Sequence, residues 1–65
     1  MNAIRSAYVI QDRRSGLFLS EELGFVVSFA KAGRLYDIDE ALDTAFDHFD
    51  PGEFEIHEFL EREKW

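Results

Sequence analysis

Apolar and polar residues alternate near the start of the chain and predict a β-hairpin. In the segment AYVIQD, which begins at Ala7 and ends at Asp12, Tyr8 and Ile10 fall on one face of a strand and the residue between them on the other. A second apolar segment, LFLS, follows Gly16. Because glycine adopts positive φ angles without steric cost, Gly16 suits the left-handed position that closes a short hairpin. We therefore expect two antiparallel strands joined near Gly16.

The middle of the chain predicts a third strand followed by an irregular segment. The sequence FVVSF at residues 25–29 follows a turn at residues 21–24 and is apolar on both faces, as a central strand would be. Gly33 interrupts the next segment, AKAGR, which predicts a loop or a short helical turn. Leu35 and Tyr36 are expected to form one extended step back into the sheet.

A single helix is predicted at residues 38–49. Asp37 is a favourable N-cap, and Glu40, three residues later, completes a capping box. Pro51 cannot continue a helix, and the glycine after it favours a tight turn. The apolar residues of helical period that are expected to pack on the sheet are Ala41, Leu42, Ala45, Phe46 and Phe49. The sheet residues expected beneath them are Tyr8, Ile10, Phe18, Val26 and Ile56.

The last segment predicts one more strand and completes the fold. FEIHEFL at residues 54–60 alternates at first and then loses phase, which predicts a strand with an irregular end, a polar tail at residues 61–64 and a terminal Trp65. The element order is then β-β-β-α-β. We predict an α+β fold in which one α-helix packs on one face of a small antiparallel sheet of three to four strands. A single domain is expected to span residues 1–65.

Composition narrows the class of protein. The net charge is −7, and residues 35–65 carry eleven acidic and two basic side chains, whereas residues 1–34 carry three acidic and five basic ones. Phosphate contacts require Lys and Arg, so we predict no direct nucleic-acid or membrane binding and favour a basic protein partner. No apolar run approaches the roughly 20 residues of a membrane span, which predicts a soluble intracellular protein.

The short chain also limits its core and its chemistry. There is no cysteine, so disulfides and thiolate metal sites are excluded. A domain of this size buries only about 60% of the surface of its unfolded chain. Phe29, Phe59 and Trp65 are candidates for exposure, and we predict a monomer or a weak homodimer.

Three aspartates define the strongest candidate site. Asp39, Asp43 and Asp47, called here the acidic row, fall four residues apart on the predicted helix, with no Lys or Arg in residues 36–50. Like charges at this spacing destabilise a helix by about 0.2–0.5 kcal/mol per pair. The helix dipole favours Asp39 and Glu40 near the N-terminus but not Asp47 near the C-terminus. The acidic row is therefore either a binding surface or a solvated face that keeps the protein soluble, and these residues alone leave both open.

Further acids lie after the helix and extend this candidate surface. Carboxylates repeating about every 6 Å along a helix can imitate the phosphates that a nucleic-acid-binding surface accepts. The residues predicted to contact a partner are Asp39, Glu40, Asp43, Asp47, Asp50, Glu53, Glu55 and Glu58.

The sequence gives less support to a catalytic or metal-binding function than to a binding surface. We predict that the chain is not an enzyme, because one helix on a small sheet offers little room for a cleft that excludes water. His57 is expected on the open sheet face, and His48 near the end of the helix. The Asp-Ile-Asp segment at residues 37–39 begins like a calcium loop, but Leu42 and His48 occupy the positions that require Gly and Glu. We predict no cofactor and no metal, with a site joining His48 to a neighbouring aspartate as the alternative.

The chain resembles small acidic anti-CRISPR proteins of phages and mobile elements. The pattern YVIQDRRSGLFLS, then AKAGRLYDIDEAL, then the acidic strand FEIHEF, is similar in size, charge and element order to inhibitors of type I systems, especially type I-C. The resemblance implies an inhibitor that binds the basic DNA-recognition surface of a Cascade complex in the cytoplasm of an infected bacterial host. The alternative is an acidic interaction module of phage or mobile-element origin that inhibits a different host nucleic-acid-binding protein.

Overall fold

The computed structural model describes residues 3–63, which form a four-stranded sheet and one α-helix. The elements are β1 (Ala3–Asp12), β2 (Phe18–Leu19), β3 (Phe25–Val26), a 3₁₀ turn (Phe29–Lys31), α1 (Ile38–His48) and β4 (Phe54–Glu63). All neighbouring strands are antiparallel, in the order β3-β2-β1-β4. The predicted α+β class and the element order β-β-β-α-β are confirmed.

The first and last strands are longer than the sequence predicted, and they pair with each other. Strands β1 and β4 pair over ten residues each, from Ala3 opposite Glu63 to Asp12 opposite Phe54. The prediction of an irregular end and a polar tail was therefore wrong for residues 58–63, and β1 also begins four residues before its predicted start. Lys64 and Trp65 lie outside the described residues.

The alternation of apolar and polar residues breaks down near the end of β4 because both faces of this strand are partly covered. Phe59 lies on the face of the sheet that carries Phe29, whose ring centroid is 5.0 Å away. Leu60 points to the opposite face and is 73% exposed. Two consecutive apolar residues therefore serve two faces of one regular strand.

The predicted central strand at residues 25–29 was wrong. Strand β3 contains only Phe25 and Val26 and forms the edge of the sheet. The chain then leaves the sheet at Val27, which is 81% exposed. Ser28 caps the 3₁₀ turn by accepting a hydrogen bond from the Ala30 amide at 3.2 Å. The expectation of a loop or short helical turn after this run is met by the 3₁₀ turn.

Two local predictions in the first half of the chain are confirmed. Gly16 closes the hairpin with a φ of 77°, and the Asp12 amide donates a hydrogen bond to the Leu17 carbonyl at 2.8 Å. Leu35 returns to the sheet as an isolated bridge to Tyr8, with reciprocal hydrogen bonds of 2.8 and 3.0 Å.

The ends of α1 are set by the residues that the sequence indicated. The Asp37 side chain accepts a hydrogen bond from the Glu40 amide at 3.2 Å, which satisfies one free N–H of the first turn. The helix ends at His48, one residue earlier than predicted, and Phe49 is the C-cap. A turn through Pro51 and the next glycine, whose φ is 84°, then leads directly into β4.

The core between α1 and the sheet is built from Ile10, Leu19 and Ala45, with Leu35, Phe49, Phe54 and Ile56 packed against it. Ile10 and Ile56 lie there as predicted. Phe18 and Val26 do not, because Phe18 pairs with Gln11 in the register of β1 and β2 and shares the opposite face. Their neighbours Leu19 and Phe25 face the helix instead.

The rotation of α1 differs from the prediction. Ala41 and Ala45 are fully buried and make the close contact with the sheet, whereas Phe46 is 54% exposed. Successive helical residues are separated by about 100°, so Phe46 is turned from Ala45 onto the flank beside β4. There its ring contacts the Phe54 ring edge to face, at 5.3 Å between centroids. The prediction that Phe46 is central to the core was wrong.

The second face of the sheet is covered by the segment that contains the 3₁₀ turn. Ala7 and Val9 are fully buried on this side. Phe29 packs edge to face on Phe18 at 5.5 Å. The predicted open sheet face, where His57 lies, is therefore partly covered.

Removing the Ile10 side chain should unfold much of the protein. Ile10 is 1% exposed at the centre of the core, and Ile→Ala in a core costs about 2–5 kcal/mol. A domain this small has roughly 3–5 kcal/mol in total. The matched control is Ile4→Ala, on the same face of the same strand but 67% exposed, which should change stability by less than about 0.5 kcal/mol. Urea denaturation measures both, and equal losses would contradict this core.

Candidate protein-binding surface

The acidic row lies on the outer face of α1. Asp39, Asp43 and Asp47 are all exposed, and so is Glu40 beside them. Within residues 3–63, none of these four carboxylates forms a salt bridge. Asp50, just after the helix, is also exposed, and it forms no salt bridge with any residue from 3 to 63. The structure thus brings five of the eight predicted contact residues to the helix and its end.

The other three predicted contact residues have partners within the protein. Glu53 lies 3.7 Å from Arg14, and Glu55 lies 3.6 Å from Arg13. Both arginines belong to the tip of the β1–β2 hairpin. Glu55 is opposite Gln11 in the sheet, on the face away from α1, so it does not share the surface of the acidic row.

Glu58 occupies a third environment. It is exposed on β4 and accepts a hydrogen bond from the Tyr8 hydroxyl at 3.2 Å. Desolvation and this hydrogen bond raise the pKa of Tyr8 above its ordinary value. Glu58 points to the same face of the sheet as α1, two residues along from Ile56, but β4 rather than the helix positions it.

An apolar row runs beside the acidic row. Ile38, Leu42 and Phe46 are four residues apart, and each directly precedes one of the three aspartates. Ile38 is 42% exposed, Phe46 is 54% exposed and Leu42 is half-buried. The outer face of α1 therefore presents two parallel rows, one apolar and one acidic. Sequence reasoning placed Leu42 and Phe46 in the core and missed this surface, although the four-residue spacing was visible.

A second polar cluster centres on Glu61 and is structural. Its carboxylate accepts hydrogen bonds from Arg34 Nε at 3.0 Å and from the Tyr36 hydroxyl at 2.8 Å. Arg34 also donates to the carbonyls of Phe29, Ala30 and Ala32. The cluster thereby ties the segment around the 3₁₀ turn to β4. Sequence reasoning missed it because Glu61 was assigned to a polar tail.

The same cluster shifts two pKa values. The hydrogen bond from Tyr36, supported by Arg34 and Arg5, holds the pKa of Glu61 below its ordinary value despite the opposing effect of burial. The corresponding hydrogen bond raises the pKa of Tyr36. The folded protein therefore favours the ionised form of Glu61 over the protonated form.

Both histidines have local partners. His48 Nδ1 lies 2.9 Å from the Thr44 carbonyl oxygen one turn earlier, and His57 Nε2 lies 2.7 Å from Gln11 Oε1. In the part of the chain that the structure describes, no group of three or more His, Asp or Glu side chains is arranged to hold a metal ion. No helix found between residues 3 and 63 is long and apolar enough to cross a membrane.

Comparison with known proteins adds no family to these observations. No family model matches the chain, and no curated protein or solved structure matches it either. The candidate surface therefore rests on the geometry and charge of α1.

The Glu61 cluster predicts a loss of stability in acid. A carboxyl group whose pKa is lowered by folding contributes stability above its unfolded pKa and loses it as the pH falls through the folded value. Glu61→Gln should therefore lower the melting temperature at neutral pH, and its difference from the wild type should shrink as the pH falls below the ordinary Glu pKa of about 4.3. Tyr36→Phe, which removes one donor, should act in the same direction but more weakly. A difference that is independent of pH would contradict this account.

Proposed function

We propose that the chain is a non-enzymatic binding protein whose helix α1 docks on the basic surface of a nucleic-acid-binding protein. The observation that supports this proposal is the separation of charge in the fold. The acidic row is exposed and forms no salt bridge within residues 3–63, whereas Glu53, Glu55 and Glu61 each lie beside an arginine.

This separation carries an energetic cost. Repulsion between Asp39, Asp43 and Asp47 opposes helix formation, and none of the salt bridges among residues 3–63 relieves it. A partner with Lys and Arg side chains would turn that repulsion into attraction and would speed association by electrostatic steering. The exposed negative charge is thus more useful in a complex than in the isolated protein.

The geometry of α1 suits a surface that normally holds a phosphate backbone. Successive members of the acidic row are one helical turn apart, which corresponds to a rise of about 6 Å. Proteins that bind nucleic acids present rows of Lys and Arg to phosphates. The helix can occupy such a row as a rigid, negatively charged rod and thereby exclude DNA or RNA.

The partner favoured by the resemblance to anti-CRISPR proteins is a type I Cascade complex, most closely that of type I-C. In this proposal the chain acts in the cytoplasm of an infected bacterial host and blocks binding of target DNA. Its contact set is the acidic row with Glu40 and Asp50. Glu58 lies on β4 on the helix side of the sheet, whereas Glu53 and Glu55 lie beside arginines of the hairpin tip. A different host nucleic-acid-binding protein is the alternative partner.

Charge reversal on α1 tests this proposal. Asp43→Lys with Asp47→Lys should weaken binding to a purified type I-C Cascade by at least about tenfold, since like charges placed across an interface cost several kcal/mol. The matched control is Glu21→Lys with Glu22→Lys, which changes the net charge equally at an exposed turn before β3. The measurement is a binding titration with target DNA as competitor.

Further measurements test whether α1 carries the binding and whether Cascade is the partner. Wild-type binding should weaken at high salt, because exposed charges are screened over about 8–10 Å near physiological ionic strength. Equal losses for both double variants would show that net charge rather than α1 carries the binding. A wild-type protein that neither binds Cascade nor protects phage from an active CRISPR strain in a plaque assay would remove Cascade as the partner.

A further inference from the structure

The apolar row adds exposed hydrophobic side chains to the acidic outer face of α1. Phe46 has more than half of its surface exposed, and its aromatic contact is the edge-to-face one with Phe54. Asp43 is three residues earlier, and side chains at this spacing are neighbours on a helix surface. An exposed aromatic ring therefore lies beside a carboxylate that has no salt bridge to any residue from 3 to 63.

Phe46 lies outside the core cluster between α1 and the sheet. The close contact of α1 with the sheet is made by Ala41 and Ala45, both fully buried. Phe49 fills the space between the helix end, Phe25 and Phe54. With Ile38 and Leu42, the exposed Phe46 ring forms a contiguous apolar row beside the acidic row, and contiguous apolar patches mark interaction surfaces.

Arginine is the basic residue that fits an aromatic ring next to a carboxylate. Its planar guanidinium can stack on a ring while its N–H groups bind an oxygen pair, whereas the ammonium group of lysine is more strongly hydrated and acts as a point charge. The same chain contains this arrangement elsewhere. The Arg5 guanidinium carbon lies 3.7 Å from the centroid of the Tyr36 ring, and Arg5 Nη2 lies 3.8 Å from the Glu61 carboxylate.

We propose that α1 recognises an arginine-rich protein segment, with one guanidinium stacked on Phe46 and bound to Asp43. This inference rests on the proposed function and adds the chemistry of the partner. The acidic row supplies the charge that attracts any basic segment, and the apolar row supplies the preference for arginine over lysine. Ile38 and Leu42 extend the row and can cover the aliphatic stems of neighbouring basic side chains.

The test compares two peptides that differ only in the basic residue. Hexa-arginine and hexa-lysine are titrated into the isotopically labelled protein, and binding is followed by NMR shifts of the α1 amides and the Phe46 ring. The arginine peptide should bind about two- to fivefold more tightly, the ratio that an exposed cation–π contact provides. Phe46→Leu, which keeps an apolar side chain, should bring that ratio close to one.

The matched control is Phe25→Leu. Phe25 is 49% exposed and also contacts one ring edge to face, that of Phe49 at 5.9 Å, but it lies on β3 rather than on α1. This substitution should leave the preference for arginine unchanged. Equal binding of the two peptides, no binding of either, or a preference that survives Phe46→Leu would overturn the inference.

Failure of this inference can be separated from failure of the proposed function. If Asp43→Asn with Asp47→Asn weakens both peptides equally and the wild type shows no preference, the acidic surface stands and the role of Phe46 is wrong. If the same double substitution leaves the binding of both peptides unchanged, the acidic row is not a binding surface and both proposals fail.

Discussion

The antiparallel pairing of β1 with β4 is the interaction on which the other elements depend. It joins the two ends of the described chain over ten residues and forms the longest contact in the sheet. Both layers pack on β1: Ile10 faces the helix, while Ala7 and Val9 face the segment with the 3₁₀ turn. A short chain without disulfides cannot build a thick core, so it uses both faces of this one strand.

The same pairing distributes charge over the surface. Its register places Glu55 and Glu61 on the face away from α1, where Arg13 lies near the former and Arg34 near the latter. The arginines of the first half of the chain are thus used within the fold. The acidic row remains on the other side of the molecule, on a helix whose buried residues facing the sheet are alanines. The exposed acidic surface of α1 follows from this division rather than from the net charge alone.

Local signals in the sequence predicted much of this fold. The N-cap Asp37, the positive φ at Gly16 and the Pro51 turn each depend on near neighbours, and each was identified correctly. The class of fold and the exposure of the acidic row followed from them. These features need no knowledge of which distant strands meet.

The incorrect predictions involve partners that are distant in sequence. The sequence of residues 58–63 does not show a strand pattern, because the consecutive apolar residues Phe59 and Leu60 point to opposite faces. Only the pairing with β1 reveals this strand. The run at residues 25–29 resembles a central strand, yet it divides between a two-residue edge strand and a turn that covers the second face. The exposed position of Phe46 depends on a rotation of α1 that two alanines decide. The separation of Glu53 and Glu55 from the acidic row likewise required the register of β4.

A hydrogen-exchange footprint of the complex tests the central claim most directly. The protein is exchanged alone and when bound to a type I-C Cascade, and amide protection is read along the chain by mass spectrometry. The account predicts new protection in α1, residues 38–48, and no change at the hairpin tip, residues 13–16. Protection confined to residues 28–34 and 57–61, with α1 unchanged, would show that the opposite face binds the partner and that the acidic row does not.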